Sequence, residues 1–290
     1  MTTDRALATF TEHRPVLFGI AYRMLGSVAD AEDVLQDAWL SWSAASGGRE
    51  IGSPRAYLAR TVTNLSLNRL ESARARRESY VGPWLPEPVL AAPQDVAGEA
   101  EQAEAVSLAM LIVLETLSPL ERAVFVLREV FGFSAAEVAG MLGRGEDAVR
   151  QAGHRARSHV QARRPRYDAP ARARRLVTER FLAACAGGDL TAVLELLAPD
   201  VTAWTDGGGK VRAARRPLHG ADHVARWLLG VLRRPLPEPG VEPVLVNGEP
   251  GLLVTSAGAP DSVIVVGLSE AHQVDAIWLI RNPDKLAHLR

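Results

Sequence analysis

The chain has 290 residues, 47% of them hydrophobic, and its 33 Lys and Arg against 34 Asp and Glu leave a formal net charge of −1. That length holds two or three domains with packed cores, and a near-neutral total excludes no class of partner because the charges are unevenly spread. A single cysteine, Cys185, excludes a disulfide framework and a cysteine zinc site and fits a reducing cytosol. No charged leader with an apolar core opens the sequence, and no apolar run approaches the ~20 residues of a membrane helix, so a cytoplasmic protein without membrane contact is expected.

Residues 1–80 read as helical. Apolar residues recur at helical spacing from Phe10 to Leu25, Gly26-Ser27 breaks the run, and Ser27 with Asp30 resembles a capping box. The next helix carries Val34, Leu35, Ala38, Trp39 and Trp42 and ends near Ser46-Gly47-Gly48. Ser53-Pro54 starts a third helix, which runs past Asn68 into Arg74, Arg76 and Arg77. Residues 81–104 hold Pro83, Pro86, Pro88 and Pro93 and then turn acidic, which predicts a linker. Residues 105–165 are helical again. Ser118-Pro119-Leu120-Glu121 and Ser134-Ala135-Ala136-Glu137 are two helix starts with box glutamates, Gly143 ends a short helix, and another runs from Gly145-Glu146 to about Gln161. Two short helices around a glycine turn form the helix-turn-helix pattern. From 170 to 290 the signals mix: helices at Leu176–Ala186, Leu190–Leu197 and Ala221–Leu232, then strands at Val241–Val246, Leu252–Thr255, Val263–Leu268 and Val274–Ile280, with one more at Val201–Thr205. This is an α+β domain, with Cys185 as a small core residue of its first helix.

The chemistry lies first in the helix-turn-helix. From Ala148 to Arg166 there is no acidic residue. Arg150, Gln151, His154, Arg155 and Ser158 share one helical face, with Arg157 beside them, as a helix reading the major groove requires. The bland alternative is a solvated basic helix, and Gly153 within it costs ~1 kcal/mol relative to alanine. In Asp30-Ala31-Glu32-Asp33-Val34-Leu35-Gln36-Asp37-Ala38-Trp39 the polar residues form one face of an amphipathic helix, and alone this would be an ordinary solvated face.

The order of parts decides between these readings. Ala21-Tyr22-Arg23-Met24-Leu25-Gly26, the acidic helix, Thr61-Val62-Thr63-Asn64-Leu65-Ser66-Leu67-Asn68-Arg69-Leu70, Leu117 to Phe125, and Ala148-Val149-Arg150-Gln151 with His154 to Arg157 follow one another along the chain. Over residues 8–164 the sequence resembles the extracytoplasmic-function sigma factors of RNA polymerase. The resemblance implies a helical first domain at 1–80, a linker at 81–104 and a helix-turn-helix domain at 105–165. It implies that Asp30, Glu32, Asp33, Gln36 and Asp37 dock on core RNA polymerase. Asn64, Asn68, Arg69, Arg74, Arg76 and Arg77, with the loop Gly47–Gly52, would handle the promoter's minus-ten element. Arg150, Gln151, His154, Arg155, Arg157 and Ser158 would read the minus-35 element. Gly145 departs from the Ser-type cap of many relatives, which glycine replaces tolerably.

Residues 170–290 exceed a minimal sigma factor and resemble a SnoaL-like cone-shaped α+β domain. Three short sequences resemble the subgroup with this fusion: Trp84-Leu85-Pro86-Glu87-Pro88, Asp206-Gly207-Gly208-Gly209-Lys210 and Asn282-Pro283-Asp284-Lys285-Leu286. The glycine run lacks phosphate-loop spacing and is expected to be a tight, mobile hairpin turn. Asp200, Asp206, His219, His223 and His272 are the acid–base candidates of an enzyme of this fold, and they form no recognisable constellation. No catalytic residue, metal site or cofactor is therefore assigned. The preferred reading is regulation in cis, with the glycine turn and the terminal segment contacting the sigma domains or the Trp84–Pro88 linker, and an unknown small ligand left open as a further partner. The rival readings are a one-component ligand-sensing DNA-binding regulator and, behind it, a SnoaL-like enzyme fused to a DNA-binding module. The first rival leaves the Asp30–Asp37 face unexplained; the second lacks convergent acid–base groups.

Overall fold

The computed structural model describes residues 3–46, 51–91, 106–163 and 171–289, with only the backbone at Thr3, Glu71, 73–78, Ala91 and Ala171. The chain divides into two compact units, Met1–Glu78 with Leu111–Arg164, and Ser79–Met110 with Pro165–Arg290.

The first unit begins with three helices, α1 (Thr3–Leu25), α2 (Val28–Ser46) and α3 (Pro54–Glu78). Gly26, at φ 66°, makes the left-handed turn between α1 and α2, and the Ser27 hydroxyl accepts the Asp30 amide at 3.1 Å. The apolar stripes bury Leu17, Ile20 and Met24 of α1, Val34, Leu35, Ala38 and Trp42 of α2, and Leu58 and Val62 of α3. Trp42 is buried with its indole N–H satisfied by the Ala6 carbonyl at 2.9 Å.

Helices α4 (Leu108–Glu115), α5 (Pro119–Phe125), α6 (Ala135–Leu142) and α7 (Glu146–Arg163) follow, with a π-helical turn at Val126–Val130 between α5 and α6. Both expected capping boxes are present, Ser118 with Glu121 and Ser134 with Glu137, and Gly143 ends α6 in the left-handed conformation. A methyl on Gly153 would stand 3.4 Å from the side chains of Val124 of α5 and of Arg128, at the edge of ordinary contact, so the packing there does not by itself demand glycine. The π turn is not signalled by the residue pattern, because a single turn whose hydrogen bonds span one residue more than in an α-helix is too short to shift the apolar spacing.

The second unit carries helices α8 (Ala171–Gly187), α9 (Leu190–Leu196) and α10 (Ala221–Leu232) on a mixed sheet. The strands are β1 (Leu90–Ala91), β2 (Leu197–Asp206), β3 (Leu218–His219), β4 (Pro239–Val246), β5 (Glu249–Ser256), β6 (Ala259–Leu268) and β7 (Val274–Ile280), in the order β1-β4-β5-β6-β7-β2-β3. Only the β2–β7 pair is parallel among these. Asn247-Gly248 and Ala257-Gly258 have positive φ and close the β4–β5 and β5–β6 hairpins. One face of the sheet packs Val201, Ala203, Leu252, Ile264, Val266, Ile277 and Leu279 against Phe181, Cys185, Val224 and Leu228 of the helices. Burial pushes the Cys185 thiol up to about 12, which makes it an inert core group.

The linker differs from expectation. Residues Ser79–Ala91 are not a free spacer but belong to the second unit, and Leu90 and Ala91 pair with Val246 and Leu245 as an edge strand. Pro83, Pro86 and Pro88 forbid helix, but they suit extended chain at a sheet edge, where missing amides cost nothing. Residues 92–105 lie outside the described residues, as do Gly47–Glu50 of the expected promoter loop. No helix among the described residues is long and apolar enough to cross a membrane.

Candidate functional site

On α2, Glu32, Asp33, Gln36 and Asp37 are exposed while Val34, Leu35 and Ala38 are buried, so the polar residues do form one outward face. The face is partly neutralised from within the unit. The Arg69 guanidinium of α3 reaches Asp30 at 3.4 Å, Asp33 at 3.0 Å and Asp37 at 3.4 Å. Burial opposes the Arg69 charge, yet the hydrogen bond and field of Asp33, with Asp37 and Asp30, hold its pKa above the ordinary value. Arg14 of α1 pairs with Glu32 at 2.6 Å. A groove of about 260 Å³ runs between α1 and α2, lined by Phe10, Arg14, Glu32, Asp33, Leu35, Gln36 and Trp39. An acidic face with an apolar rim suits a protein partner that carries matching cations.

Of the residues expected at the minus-ten element, Asn64 and Asn68 lie on α3, half-buried and exposed respectively, and Arg69 sits on the acidic face just described. Arg74, Arg76 and Arg77 follow on the same helix, and their side chains lie outside the description. On α7, Arg150, Gln151, His154, Arg155 and Ser158 are all exposed, with Val149, Ala152, Ala156 and Val160 buried behind them. Three arginines there carry acidic partners: Arg150 pairs with Glu146 at 2.6 Å and Asp147 at 3.0 Å, Arg155 with Glu121 at 2.8 Å, and Arg157 with Glu129 at 2.9 Å. The Arg155 bond, joined by those from Ser118, holds the Glu121 carboxyl below the usual range. Gln151 and Ser158 project from the face without such an ion pair.

In the second unit the three short sequences converge on one buried ion pair. Asp206 ends β2 and is fully buried, and its carboxylate faces Lys285 Nζ at 2.7 Å, itself 6% exposed. Asp206 Oδ1 accepts the Tyr80 hydroxyl at 2.5 Å and the Gly208 amide at 3.1 Å, while Oδ2 accepts the Leu85 amide at 2.9 Å as well as Lys285. Four donors saturate a carboxylate. The Lys285 ammonium also donates to the Leu85 carbonyl and lies over the Trp84 ring, 4.0 Å from its centroid, and the Tyr80 ring at 5.0 Å. Burial, and then Asp206, raise the Tyr80 pKa, so its hydroxyl stays a donor.

The remaining motif residues brace this pair. Asn282 caps helix α11 (Pro283–Leu286) through the Asp284 amide and donates to the Tyr80 hydroxyl at 2.8 Å. Lys210 bridges to Asp284 at 2.6 Å, Leu286 is buried, and His288 contacts the Pro88 carbonyl at 2.8 Å. Leu85, Pro86, Glu87 and Pro88 are enclosed. The glycine turn is packed rather than free, which corrects the expectation of a mobile hairpin. A Cβ on Gly208, at φ 60°, would meet the Asn282 side chain at 2.4 Å, one on Gly207 the Val211 carbonyl at 2.5 Å, and one on Gly209 the Val81 side chain at 3.2 Å. The glycines are there because α11 and the linker press onto the turn.

Tyr80, His288 and Asn247 were not foreseen. Tyr80 stands alone after an arginine-rich helix, and nothing in its neighbourhood marks it. Asn247 had a signal in Asn247-Gly248, but its bonds to Val89 at 2.8 and 3.2 Å exist only because the linker adds a strand there. The acid–base candidates do not converge. Asp206 is consumed by the ion pair, His219 bonds Thr202 at 3.1 Å, and Asp200, His223 and His272 are exposed. Asp275, half-buried, has its carboxyl pushed up by burial, with the charge of Asp200 adding to it.

Comparison with known proteins agrees with this geometry. Residues 9–76 match the family described as sigma-70 region 2, and residues 107–160 match sigma-70 region 4. The ECF RNA polymerase sigma factor SigJ of Mycobacterium tuberculosis is 40% identical over 293 residues, covering 96% of this chain and 92% of that one. A probable ECF sigma factor of the same organism, SigI, is 32% identical over 99% of this chain and 97% of its own. The crystal structure of M. tuberculosis SigJ superposes with a TM-score of 0.77 at 38% identity, covering 97% of this chain and 98% of that one. The α+β domain is therefore shared with SigJ together with the two helical regions. The chain belongs to the extracytoplasmic-function sigma factors, which direct RNA polymerase to promoters and are transcription factors rather than enzymes.

Proposed function

We propose that the C-terminal α+β domain modulates promoter-directed initiation in cis, by gripping the segment that joins the two promoter-reading regions. Helix α2 docks on core polymerase through Asp30, Glu32, Asp33, Gln36 and Asp37, helix α3 handles the minus-ten element through Asn64, Asn68 and the arginines at its end, and helix α7 reads the minus-35 element. On α7, Gln151 supplies the donor–acceptor pair that suits adenine, and the arginines exchange their acidic partners for guanine or phosphate.

The observation that supports cis modulation is the Asp206–Lys285 pair closed around Tyr80, Trp84 and Leu85. Those residues lie directly after α3 and ahead of α5–α7, so whatever holds them sets the free length of chain between the two regions. Covalent attachment keeps the grip at high effective concentration, and core polymerase or a ligand releases it only by preferring the released state.

The test is transcription in vitro with core polymerase and promoter fragments from the host genome. The full chain is compared with a chain ending before Asn282, one ending near Pro170, and the full-length variant Lys285→Met. The reading expects protein-dependent initiation that changes in both the short truncation and the point variant. Equal initiation from all four forms would sink it.

A further inference from the structure

The loop between β2 and β3 carries a cluster of cations that none of the assigned roles uses. From Gly207 to Ala221 there is no acidic residue, and Arg212, Arg215 and Arg216 stand close together within it. All three are exposed, and none has a carboxylate partner among the described residues. The neighbouring cations are committed: Lys210 to Asp284 at 2.6 Å, Arg281 to Asp261 at 2.9 Å and Lys285 to Asp206 at 2.7 Å. The loop's backbone is pinned while these three side chains are not. The buried Thr205 hydroxyl accepts the Ala214 amide at 2.7 Å and donates to the Ala214 carbonyl at 3.1 Å, and Arg281 donates to the Arg212 carbonyl at 3.1 Å. The linker lies against the same loop: a Cβ on Gly82 would stand 3.7 Å from the Ala214 carbonyl oxygen and from Arg215 Cα.

We propose that Arg212, Arg215 and Arg216 form a phosphate-binding site for the duplex backbone beside the minus-ten element, so that the C-terminal domain holds the template as well as the linker. The proposal rests on the linker grip and on the assignment of α3 to the minus-ten element. The chemistry is that of phosphate recognition. A guanidinium presents a planar fork that matches phosphate oxygens, and an unpaired one gives up no internal partner on binding, whereas Arg150, Arg155 and Arg157 of α7 must exchange theirs. No Asn or Gln stands between Gly207 and Ala221 to read an adenine edge beside them, so the contact is to the backbone and indifferent to sequence. With the main chain already fixed, only side-chain freedom is lost on binding. The place on the template follows from the chain. Gly82 is four residues beyond Glu78, the end of α3, and four residues span at most about 14 Å. DNA running from minus ten toward minus 35 covers the same interval that the linker covers between α3 and α7, and a loop seated on the start of the linker stays within reach of it. The contact exists only while the linker is held, which gives the modulation a sign: the gripped domain adds template affinity and the released one removes it.

Salt titration of promoter binding by the holoenzyme, formed with the full chain, tests this. The triple variant Arg212→Ala, Arg215→Ala, Arg216→Ala touches neither the Asp206–Lys285 pair nor α3. Each phosphate contact contributes about 0.9 to the slope of log affinity against log salt, so the slope should fall by about 2 to 3 and the affinity by roughly 10-fold or more near physiological salt. Lysine at the same three positions keeps the charge and should restore most of the slope, which a merely structural role for the arginines would not produce. An iron chelate carried on Arg216→Cys should cut the DNA within about one helical turn of the minus-ten element; Cys185 is buried and stays unlabelled. An unchanged slope in the triple alanine variant, or the absence of cuts near that element, would overturn the proposal. A loss of equal size in binding to core polymerase without DNA would overturn it as well, by placing the arginines on a protein surface. Failure of the readings beneath it would appear separately, in a chain with the loop intact, as initiation unaffected by substitution of Asn68 or by Lys285→Met.

Discussion

The molecule holds two carboxylate–cation clusters that use the same chemistry to opposite ends. Around Arg69, three aspartates of α2 share one guanidinium at 3.0 to 3.4 Å, and Asp33 and Asp37 are 60% and 50% exposed. Around Asp206, one carboxylate with no exposure meets one ammonium at 2.7 Å, with every remaining lone pair taken by Tyr80, Leu85 and Gly208. An exposed cluster is screened by water and salt and is worth little to stability, so a partner can take over its charges at small cost. A buried pair has already lost its hydration, and removing either member leaves an uncompensated charge. The first arrangement suits a docking face, the second a lock.

The lock yields the largest predicted effect. Lys285→Ala leaves Asp206 buried beside only neutral donors and removes the cation from the Trp84 and Tyr80 rings. The second unit should lose about 3–5 kcal/mol, measured by urea denaturation followed through tryptophan fluorescence. A loss under about 1 kcal/mol would mean that Asp206 and Lys285 are hydrated in solution and that the contrast drawn above fails. Gly208→Ala comes next. The residue needs φ near 60° and its added methyl would collide with Asn282, so a cost of about 2 kcal/mol is expected, together with faster proteolysis of the Tyr80–Pro88 segment. Substitution at Gly230, an exposed helical glycine with open space around it, is the control and should cost nothing.

A smaller effect lies in the helix-turn-helix. The Glu121 carboxyl is held down by Arg155 and by Ser118, so its folded pKa lies below the unfolded one. Its stabilisation is therefore complete above the unfolded pKa and is lost as pH falls through the folded one. Between pH 6 and pH 3 the loss attributable to this group should be about 1 kcal/mol, part cap and part screened ion pair. Glu121→Gln should flatten that part of the pH profile, and a variant with the wild-type slope would show that Arg155 is already in solvent.

How much of this could be read from the chain divides along the same line. The exposed cluster was legible from local pattern, because an amphipathic helix fixes which of its residues face outward: Glu32, Asp33, Gln36 and Asp37 are one face whatever α2 packs against. Both capping boxes were legible for the same reason. The lock was legible only as three separate strings of residues. That Asp206, Lys285, Trp84 and Leu85 meet depends on β2 pairing in parallel with β7, which brings Asp206 beside Ile280 and so beside the α11 segment, and on the linker adding itself as β1. Neither pairing has a local signature. Tyr80 shows the limit most clearly, since its two polar partners lie 126 and 202 residues away in sequence. The glycines of 207–209 were noticed, but their cause lay in Asn282 and Val81 rather than in the turn itself.

Arg69 gives the smallest stability change and the sharpest test of the comparison. Its guanidinium satisfies three aspartates that are proposed to face core polymerase, and it was expected at the minus-ten element. Arg69→Ala should change folding stability by no more than about 0.5 kcal/mol, because its pairs with Asp33 and Asp37 are exposed and screened and the part-buried one with Asp30 is long at 3.4 Å. It also uncovers negative charge on the α2 face. If that face docks on a basic surface of polymerase, binding of the variant to core should strengthen at low salt and weaken more steeply as salt rises than binding of the wild-type chain. If Arg69 instead serves promoter DNA, core affinity should stay constant and initiation should fall on every promoter. The two outcomes separate an arginine that regulates the charge of a protein-binding face from one that touches the template.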